Sequence, residues 1–324
     1  MRLLPFLLFL LPVVLVGQPS LFDVLHADND TVVFRIETDW NGLVRRKMDK
    51  AYQPATVHLT LGDSTLTFEA KLRSRGNIRL EVCQNPSLKL KLRKDELLAA
   101  GFSDLNEFKF VLQCTNNSLG ESYLTREKLV YDLHAVYSNY THRTLAVGLD
   151  LGKGDTTKAF LVEHDEQMEA RFNAKVLEVN KMSTRGLHRE AYVNMCLFNY
   201  LILNTDWHVF NLHNLKFVCP EGTNDFIPVP YDFDYSGFVG AHYAVPREEL
   251  GISTIYVPKW LGKRVTEDEI SSAAAHFLAQ REKTEALINE HPCLHKRDQK
   301  RLLRRVSDFY KLLENEKHLL KLVE

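Results

Sequence analysis

The sequence predicts an α+β chain in two lobes, a strand-rich N-lobe followed by a helix-rich C-lobe. Two observations predict it. Through most of residues 31–93 apolar side chains recur with period two, as in half-buried strands. From residue 189 onward they recur at helical spacing, between capping and breaking signals. The change of character falls near residue 165, and no internal repeat or low-complexity tract interrupts either half. The predicted organisation is therefore a signal peptide over residues 1–17, the N-lobe over 18–165 and the C-lobe over 166–324.

The first element is the leader. Arg2 precedes an apolar run over residues 3–16, shorter than the roughly 20 residues a bilayer span needs. Gly17-Gln18-Pro19 then suits cleavage near Gly17. The alternative is an uncleaved N-terminal anchor. No cysteine follows closely enough for a lipoprotein, and no later stretch reaches spanning length. The expectation is a secreted or periplasmic protein with no stable membrane anchor.

Alternation then marks strands in turn. Phe34 and Ile36 alternate with Val33, Arg35 and Glu37, and Val57, Leu59 and Leu61 follow. Leu66, Phe68, Ala70 and Leu72 lead up to Arg75-Gly76-Asn77; Leu88, Leu90 and Leu92 then oppose Lys89, Lys91 and Arg93. These read as antiparallel strands with one wet face. A helix is expected over residues 122–138, with Leu129, Leu133 and Val136 on one stripe. Two strands are expected over 144–151 and 158–163, around Gly152-Lys153-Gly154-Asp155. In the second half an apolar helix is expected over 189–204, then a loop rich in His and Asn and short strands over 215–218 and 226–229. Thr266-x-x-Glu269 reads as a capping box opening a helix to about residue 289. Pro292 separates it from a last helix carrying Leu302, Val306, Phe309 and Leu313 on one face.

Composition excludes some classes. Apolar content of 45% and charged content of 26% are those of a globular protein. A formal net charge of −1 exerts no global pull toward nucleic acid or anionic lipid. Five cysteines without C-x-x-C spacing disfavour a structural zinc site. Export permits disulfides, so Cys83 and Cys114, which flank neighbouring predicted strands, are either bridged or buried thiols like the other three. Asn29-Asp-Thr31, Asn116-Asn-Ser118 and Asn139-Tyr-Thr141 match the N-glycosylation pattern, which means little in a bacterium.

Three clusters carry chemical potential. The first runs from Asn204 through Asp206, His208, Asn211 and His213 to Asn214; the second is Pro230-Tyr231-Asp232-Phe233-Asp234; the third is Arg73-Ser-Arg75-Gly76-Asn77-Ile-Arg79, followed by Lys89 and Lys91. Asp206, after a helix, is suited to accept a proton from a hydroxyl nucleophile. Asn214 or Asn211, with Asp232, offers hard oxygen ligands of the kind that Mg²⁺ or Mn²⁺ takes while sharing phosphate oxygens. A lysine on a first-lobe strand would neutralise a phosphate, and Arg75 and Arg79 would cover phosphates with charge. Taken singly, each cluster has a plain structural reading: solvated turns are rich in Asp and Asn, Arg-Gly-Asn suits a hairpin, and Lys89 and Lys91 suit the wet face of an edge strand. Their order along the chain is that of a kinase-like two-lobed fold: basic strand, helix, Asp…Asn loop, short strand, Asp.

Arg75-Gly76-Asn77…Pro86-Ser87-Leu88-Lys89-Leu90-Lys91, Asn204-Thr-Asp206…Asn214 and Pro230-Tyr231-Asp232-Phe233-Asp234 together resemble the spore-coat protein H (CotH) family of kinase-like proteins, in particular its exported members from Bacteroidota. The resemblance spans roughly residues 65–260. It implies an atypical protein-kinase-like fold, ATP with Mg or Mn, and phosphorylation of protein Ser or Thr hydroxyls. It makes Asp206 the catalytic base, Asp232 the main metal ligand with Asn214 second and Asp234 beside them, and Lys89, then Lys91, the phosphate-binding lysine. Kinase spacing alone would select Asn211 as the metal amide, whereas Asn214 leads directly into the apolar strand, as the metal amide does in kinases. No G-x-G-x-x-G loop is present, and Glu127 is the expected partner of the lysine. Two other classes compete: a kinase-like scaffold that binds a cell-envelope protein or glycan without turnover, and a metal-dependent hydrolase using His208 and His213, which no H-E-x-x-H spacing supports.

Overall fold

The computed structural model describes residues 17–28, 32–152 and 156–324. The predicted leader up to residue 16, the asparagine at 29 and most of the 152–155 turn lie outside them. In the first half, α1 (Leu21–Ala27) starts at a Ser20–Asp23 capping box, and β1 (Val32–Glu37), α2 (Trp40–Arg45), β2 (Gln53–Leu61) and β3 (Ser64–Arg75) follow. Gly76, at φ +97°, turns the chain into α3 (Ile78–Val82). Then come β4 (Ser87–Leu92), α4 (Lys94–Ala99), β5 (Glu107–Leu112), the long α5 (Ser118–Tyr137), β6 (Thr144–Asp150) and β7 (Thr156–Val162).

The alternating strands close on themselves as a barrel in the order β1-β2-β3-β4-β5-β7-β6. All pairs are antiparallel except the seam, where Phe34 of β1 stands beside Leu149 of a parallel β6. Phe34, Leu59, Phe68, Leu90, Phe110 and Leu161 fill the interior and are fully or almost fully buried, each contributing roughly 1.5–3 kcal/mol. Closure leaves no edge. β4 is therefore flanked by β3 and β5, so Lys89 and Lys91 stand on the outer face of an inner strand rather than on an edge. The sequence reading omitted β5. Its inner face, Phe108 and Phe110, does alternate, but Val111 on the opposite face is buried as well, which blurs the period. A disulfide joins Cys83, after α3, to Cys114, after β5.

The second half comprises α6 (Asp165–Phe172), β8 (Ala174–Val176), α7 (Arg189–Leu201), β9 (Leu215–Pro220), β10 (Ile227–Pro230), α8 (Glu267–Leu278), α9 (Arg281–Asn289), α10 (Lys296–Leu313) and α11 (Glu316–Leu320). Strands β10-β9-β8 form a small antiparallel sheet. The single helix expected after Thr266 is two. At Gln280 the N–H bonds to Phe277 O, three residues back, and the chain restarts as α9. The break seats the Thr284 hydroxyl against Tyr137 Oη, which also lies 2.9 Å from Tyr310 Oη. A second apolar core, with Phe198, Phe277 and Phe309, packs among these helices. The stripe of α5 (Leu129, Leu133, Tyr137) belongs to this second core, while Glu127 of the same helix meets Arg79 of α3. No helix among the described residues is long and apolar enough to cross a membrane.

Candidate active site

The loop after α7 is held by a chain of buried amides. Asn199 Nδ2 donates to Met195 O (2.9 Å), Asn204 Nδ2 donates to Asn199 Oδ1 (2.8 Å), and Asn204 Oδ1 accepts the Asp206 N–H (3.0 Å). Leu203 just before it takes φ +59°, a left-handed turn that brings the chain away from the helix. From there a tight loop returns, closed by paired backbone bonds between His208 and His213 (3.0 Å each).

Both oxygens of Asp206 are engaged within that loop. Asn214 Nδ2 donates to Oδ2 (2.9 Å) and to the Asp206 carbonyl (2.8 Å), and His213 Nε2 lies 2.9 Å from Oδ1. The hydrogen bond and charge of Asp206 raise the pKa of His213 above its ordinary value, against its partial burial. Asn211 sits exposed at the loop tip, with Oδ1 3.1 Å from His208 Nδ1, and does not meet Asp206. Of the two candidate amides, the one beside the candidate base is Asn214.

Asn214 also fixes the second cluster. Its carbonyl accepts the Tyr231 N–H at 3.1 Å, so the end of β10 is stitched to the start of β9. Asp232 follows at φ +62°, and its N–H donates to Tyr131 Oη on α5 (2.9 Å). Phe233 is fully buried edge-on to Tyr131, with ring centroids 4.8 Å apart, and packs against Phe198 of α7. Asp234 is buried and accepts from Tyr243 Oη at 2.9 Å. Burial raises its pKa well above the usual carboxylate range, and the charges of Asp232 and Glu127 add to the rise.

The first half of the chain contributes Arg79 of α3 and Glu127 of α5 to this group. Arg79 Nη1 donates to Glu127 Oε2 (2.9 Å) and Nη2 to Leu112 O (2.8 Å), with both side chains buried. Arg79 Nε and Glu127 Oε1 are buried without a hydrogen-bond partner. Burial raises the Glu127 pKa and the Asp232 charge raises it further, despite Arg79. Arg75, at the end of β3, makes no ion pair with any described residue, while its charge acts on Glu127, Tyr131 and Tyr231. The structure thus gathers Asp206, Asn214, Asp232, Asp234, Glu127, Arg79 and Arg75 around one junction. Acids outnumber cations there, and an unpartnered buried carboxylate oxygen sits in the group. That is an environment in which a divalent cation is favourable.

Lys89 and Lys91 lie elsewhere on the same barrel face. Both pair with Glu107, Lys91 at 3.0 Å, and His164 Nε2 reaches the same carboxylate at 2.9 Å. Burial would raise the Glu107 pKa, but the Lys89 and Lys91 bonds and the His164 charge outweigh it and hold the pKa at about 2. The cation that Glu127 meets is Arg79, not the expected lysine, because α3 delivers the guanidinium under α5 while β4 turns Lys89 toward β5. One strand over, Lys109 stands beside Lys89 in register. It bonds Asp165 Oδ1 (2.8 Å), and Lys216 of β9 bonds Oδ2 of the same carboxylate (2.7 Å). The sequence reading singled out none of Lys109, Asp165, Lys216, Tyr131 or Tyr243. The alternation Phe108-Lys109-Phe110 was a signal for the first, and nothing local distinguishes the tyrosines from ordinary core aromatics.

Among the described residues no three His, Cys, Asp or Glu side chains are grouped to hold a metal by themselves. Two other clefts, of about 1000 and 740 Å³, open behind α5 and beside α7 and α8, and neither is lined by Asp206 or Asp232.

No family model matches the chain, and no curated protein does. Among solved structures, the Helicobacter pylori proinflammatory kinase CtkA aligns over 71% of this chain and 89% of its own, at 8% identity and a TM-score of 0.42. A likeness of that size says nothing of this chain's chemistry.

Proposed function

We propose that the chain is an exported, CotH-like phosphotransferase that moves a phosphate from ATP to protein Ser or Thr hydroxyls with Mg or Mn. The observation that carries this reading is the junction itself: Asp206 braced by Asn214 on one loop and Asp232 braced by Tyr131 on the next, facing the arginines of the barrel. Phosphoryl transfer depends on positioning and charge neutralisation more than on covalent chemistry, and this arrangement offers both.

Asp206 is suited to the proton. Each carboxylate oxygen has two lone pairs, so the bonds from His213 and Asn214 orient it and leave room for an acceptor hydroxyl. Asp232, Asp234 and Asn214 Oδ1 would hold a cation, which would supply neutralisation of the charge developing in transfer. Mg²⁺ is commonly held through one or two carboxylates plus substrate phosphates, so a site without a three-carboxylate cage suits it. Burial raises the Asp234 pKa well above the usual carboxylate range, and a nearby cation would favour its ionised form. Arg75 and Arg79 lie on the phosphate side. Export is supported by the apolar leader and by the Cys83–Cys114 bridge, which belongs to an oxidising compartment.

One observation favours the scaffold alternative, in which the fold binds a cell-envelope protein or glycan without turnover: Lys89 and Lys91 are already spent on Glu107. The deciding experiment incubates the protein with labelled ATP and Mn²⁺ or Mg²⁺, beside Asp206→Ala and Asp232→Ala. The expected outcome is label on the protein itself or a generic acceptor, lost in both variants. Absence of nucleotide binding in either metal would leave the scaffold.

A further inference from the structure

We propose that Lys109 and Lys216 form an anion subsite for a phosphate group of the nucleotide, and that the Asp165 carboxylate occupies this subsite in the resting protein until the phosphate displaces it. The identity of the anion rests on the phosphotransferase reading; the subsite itself rests on the following geometry.

One carboxylate holds two ammonium groups, one on each of its oxygens, at 2.8 and 2.7 Å. The lysines come from opposite halves of the molecule, Lys109 from β5 of the barrel and Lys216 from β9, while Asp165 is the first residue of α6. Their side chains are 16%, 30% and 23% exposed, so the group is screened from water only in part and a small anion can reach it. A structural ion pair needs one cation per carboxylate. Here there are two, and the Arg75 charge also bears on Lys109. Burial first, and then the charges of Arg75 and Lys216, lower the Lys109 pKa to about 8, although Asp165 opposes the fall. A phosphate group carries more charge and more acceptor oxygens than a carboxylate and would balance this excess better.

The position fits as well. Lys216 follows Asn214 by two residues, and its Nζ stands 5.9 Å from the centroid of the Tyr231 ring, next to Asp232 in the chain. Lys109 lies on the strand that leads into α5, the helix of Glu127 and Tyr131. The charges of Lys216 and Asp165 act on Tyr231 together with those of Asp232 and Arg75, and Arg75 also acts on Lys109, which places the subsite near the acidic group. The Lys89, Lys91 and Glu107 group also has excess lysine, but Lys91 is 44% exposed and water screens it.

The test uses the full chain and needs no substitution at its first step. Lysines are acetylated at limiting reagent, with and without inorganic pyrophosphate, and read by peptide mass. Lys109 and Lys216 are expected to become several-fold less reactive with pyrophosphate, while Lys91 does not change. Unaltered reactivity of both lysines overturns the proposal. Asp165→Asn removes the resident occupant and is expected to tighten pyrophosphate binding about tenfold by calorimetry, the gain due when a site about nine-tenths self-occupied is freed. Lys216→Gln is expected to weaken it. Weaker binding in Asp165→Asn also overturns the proposal, and if that variant does not fold, the labelling of the parent protein decides. Protection without phosphotransfer from ATP would keep the subsite and sink the phosphotransferase reading. Phosphotransfer with both lysines unprotected would do the reverse.

Discussion

Within the barrel, each inward side chain is placed many times over: by the strand period, by two flanking strands and by the rings and methyl groups packed around it. Phe110 stands edge-on to Phe34 at 5.1 Å and pairs with Leu88 on one side and Leu161 on the other. The platform between Leu203 and Ser236 works differently. Leu203, Leu212, Asn214 and Asp232 all take left-handed backbone angles, a conformation costing roughly 1–3 kcal/mol at a non-glycine residue. A few named hydrogen bonds hold them there: the Asn199–Asn204 chain, Asn214 on Asp206, and Tyr131 under the Asp232 N–H. The contrast teaches where a substitution should be felt. Damage to the barrel should lower stability and leave the site geometry intact in the molecules that remain folded, whereas damage to the platform should do the opposite.

The largest expected effects test that separation directly. Phe110→Ala deletes a fully buried ring and is expected to cost about 3–5 kcal/mol in denaturant unfolding. Phosphotransfer per folded molecule should not change; a parallel loss of activity would show that barrel and platform are not separate. Asp206→Asn keeps the shape and removes the base. It is expected to lower phosphotransfer by about 10²–10⁴-fold, with a melting temperature close to that of the parent. A large loss of stability instead would make Asp206 a structural residue.

Asn204→Ala comes next. It removes the acceptor of the part-buried Asp206 N–H and the partner of the buried Asn199 side chain. Leaving those groups unsatisfied is expected to cost about 1–3 kcal/mol and to release the loop that aims Asp206. This variant should therefore lose both stability and activity, the signature of a residue that joins the two regimes. A change in stability alone would mean that the loop holds its shape without the amide chain.

What could be read from the sequence follows the same division. The period of two delivered β1 to β4 and the barrel's inner face, and clustering of Asp, Asn and His marked Asp206, Asn214 and Asp232, which the structure brings to one place. Register was not legible. Phe108-Lys109-Phe110 and Leu88-Lys89-Leu90 have the same local pattern, and only the pairing of β4 with β5 brings Lys89 to Glu107, while α6, outside the barrel, brings Asp165 to Lys109. The partner of Glu127 was hidden for a similar reason: Arg79 reaches it from a five-residue helix inside a stretch that reads as turn and strand. Nothing local sets Tyr131 apart from the other aromatic residues of α5, because a hydroxyl that supports a strained backbone N–H leaves no mark in the pattern.

The smallest effect concerns the barrel's outer face and is set by pH. Glu107 titrates near 2 in the folded protein, far below its ordinary value, because Lys89, Lys91 and His164 surround it. Between about 4.5 and about 2 the unfolded chain takes up this proton and the folded protein does not. Stability supplied by Glu107 is therefore fully present above that window and lost as pH falls through it, with a slope of at most about 1.4 kcal/mol per pH unit. Glu107→Gln should flatten the acid limb of the stability–pH curve and leave the curve above pH 5 parallel to that of the parent. Because Glu107 serves the barrel face and not the platform, phosphotransfer at neutral pH should survive the substitution. If activity instead collapsed, Lys89 would have to reach the nucleotide after all, with Glu107 as the group that aims it.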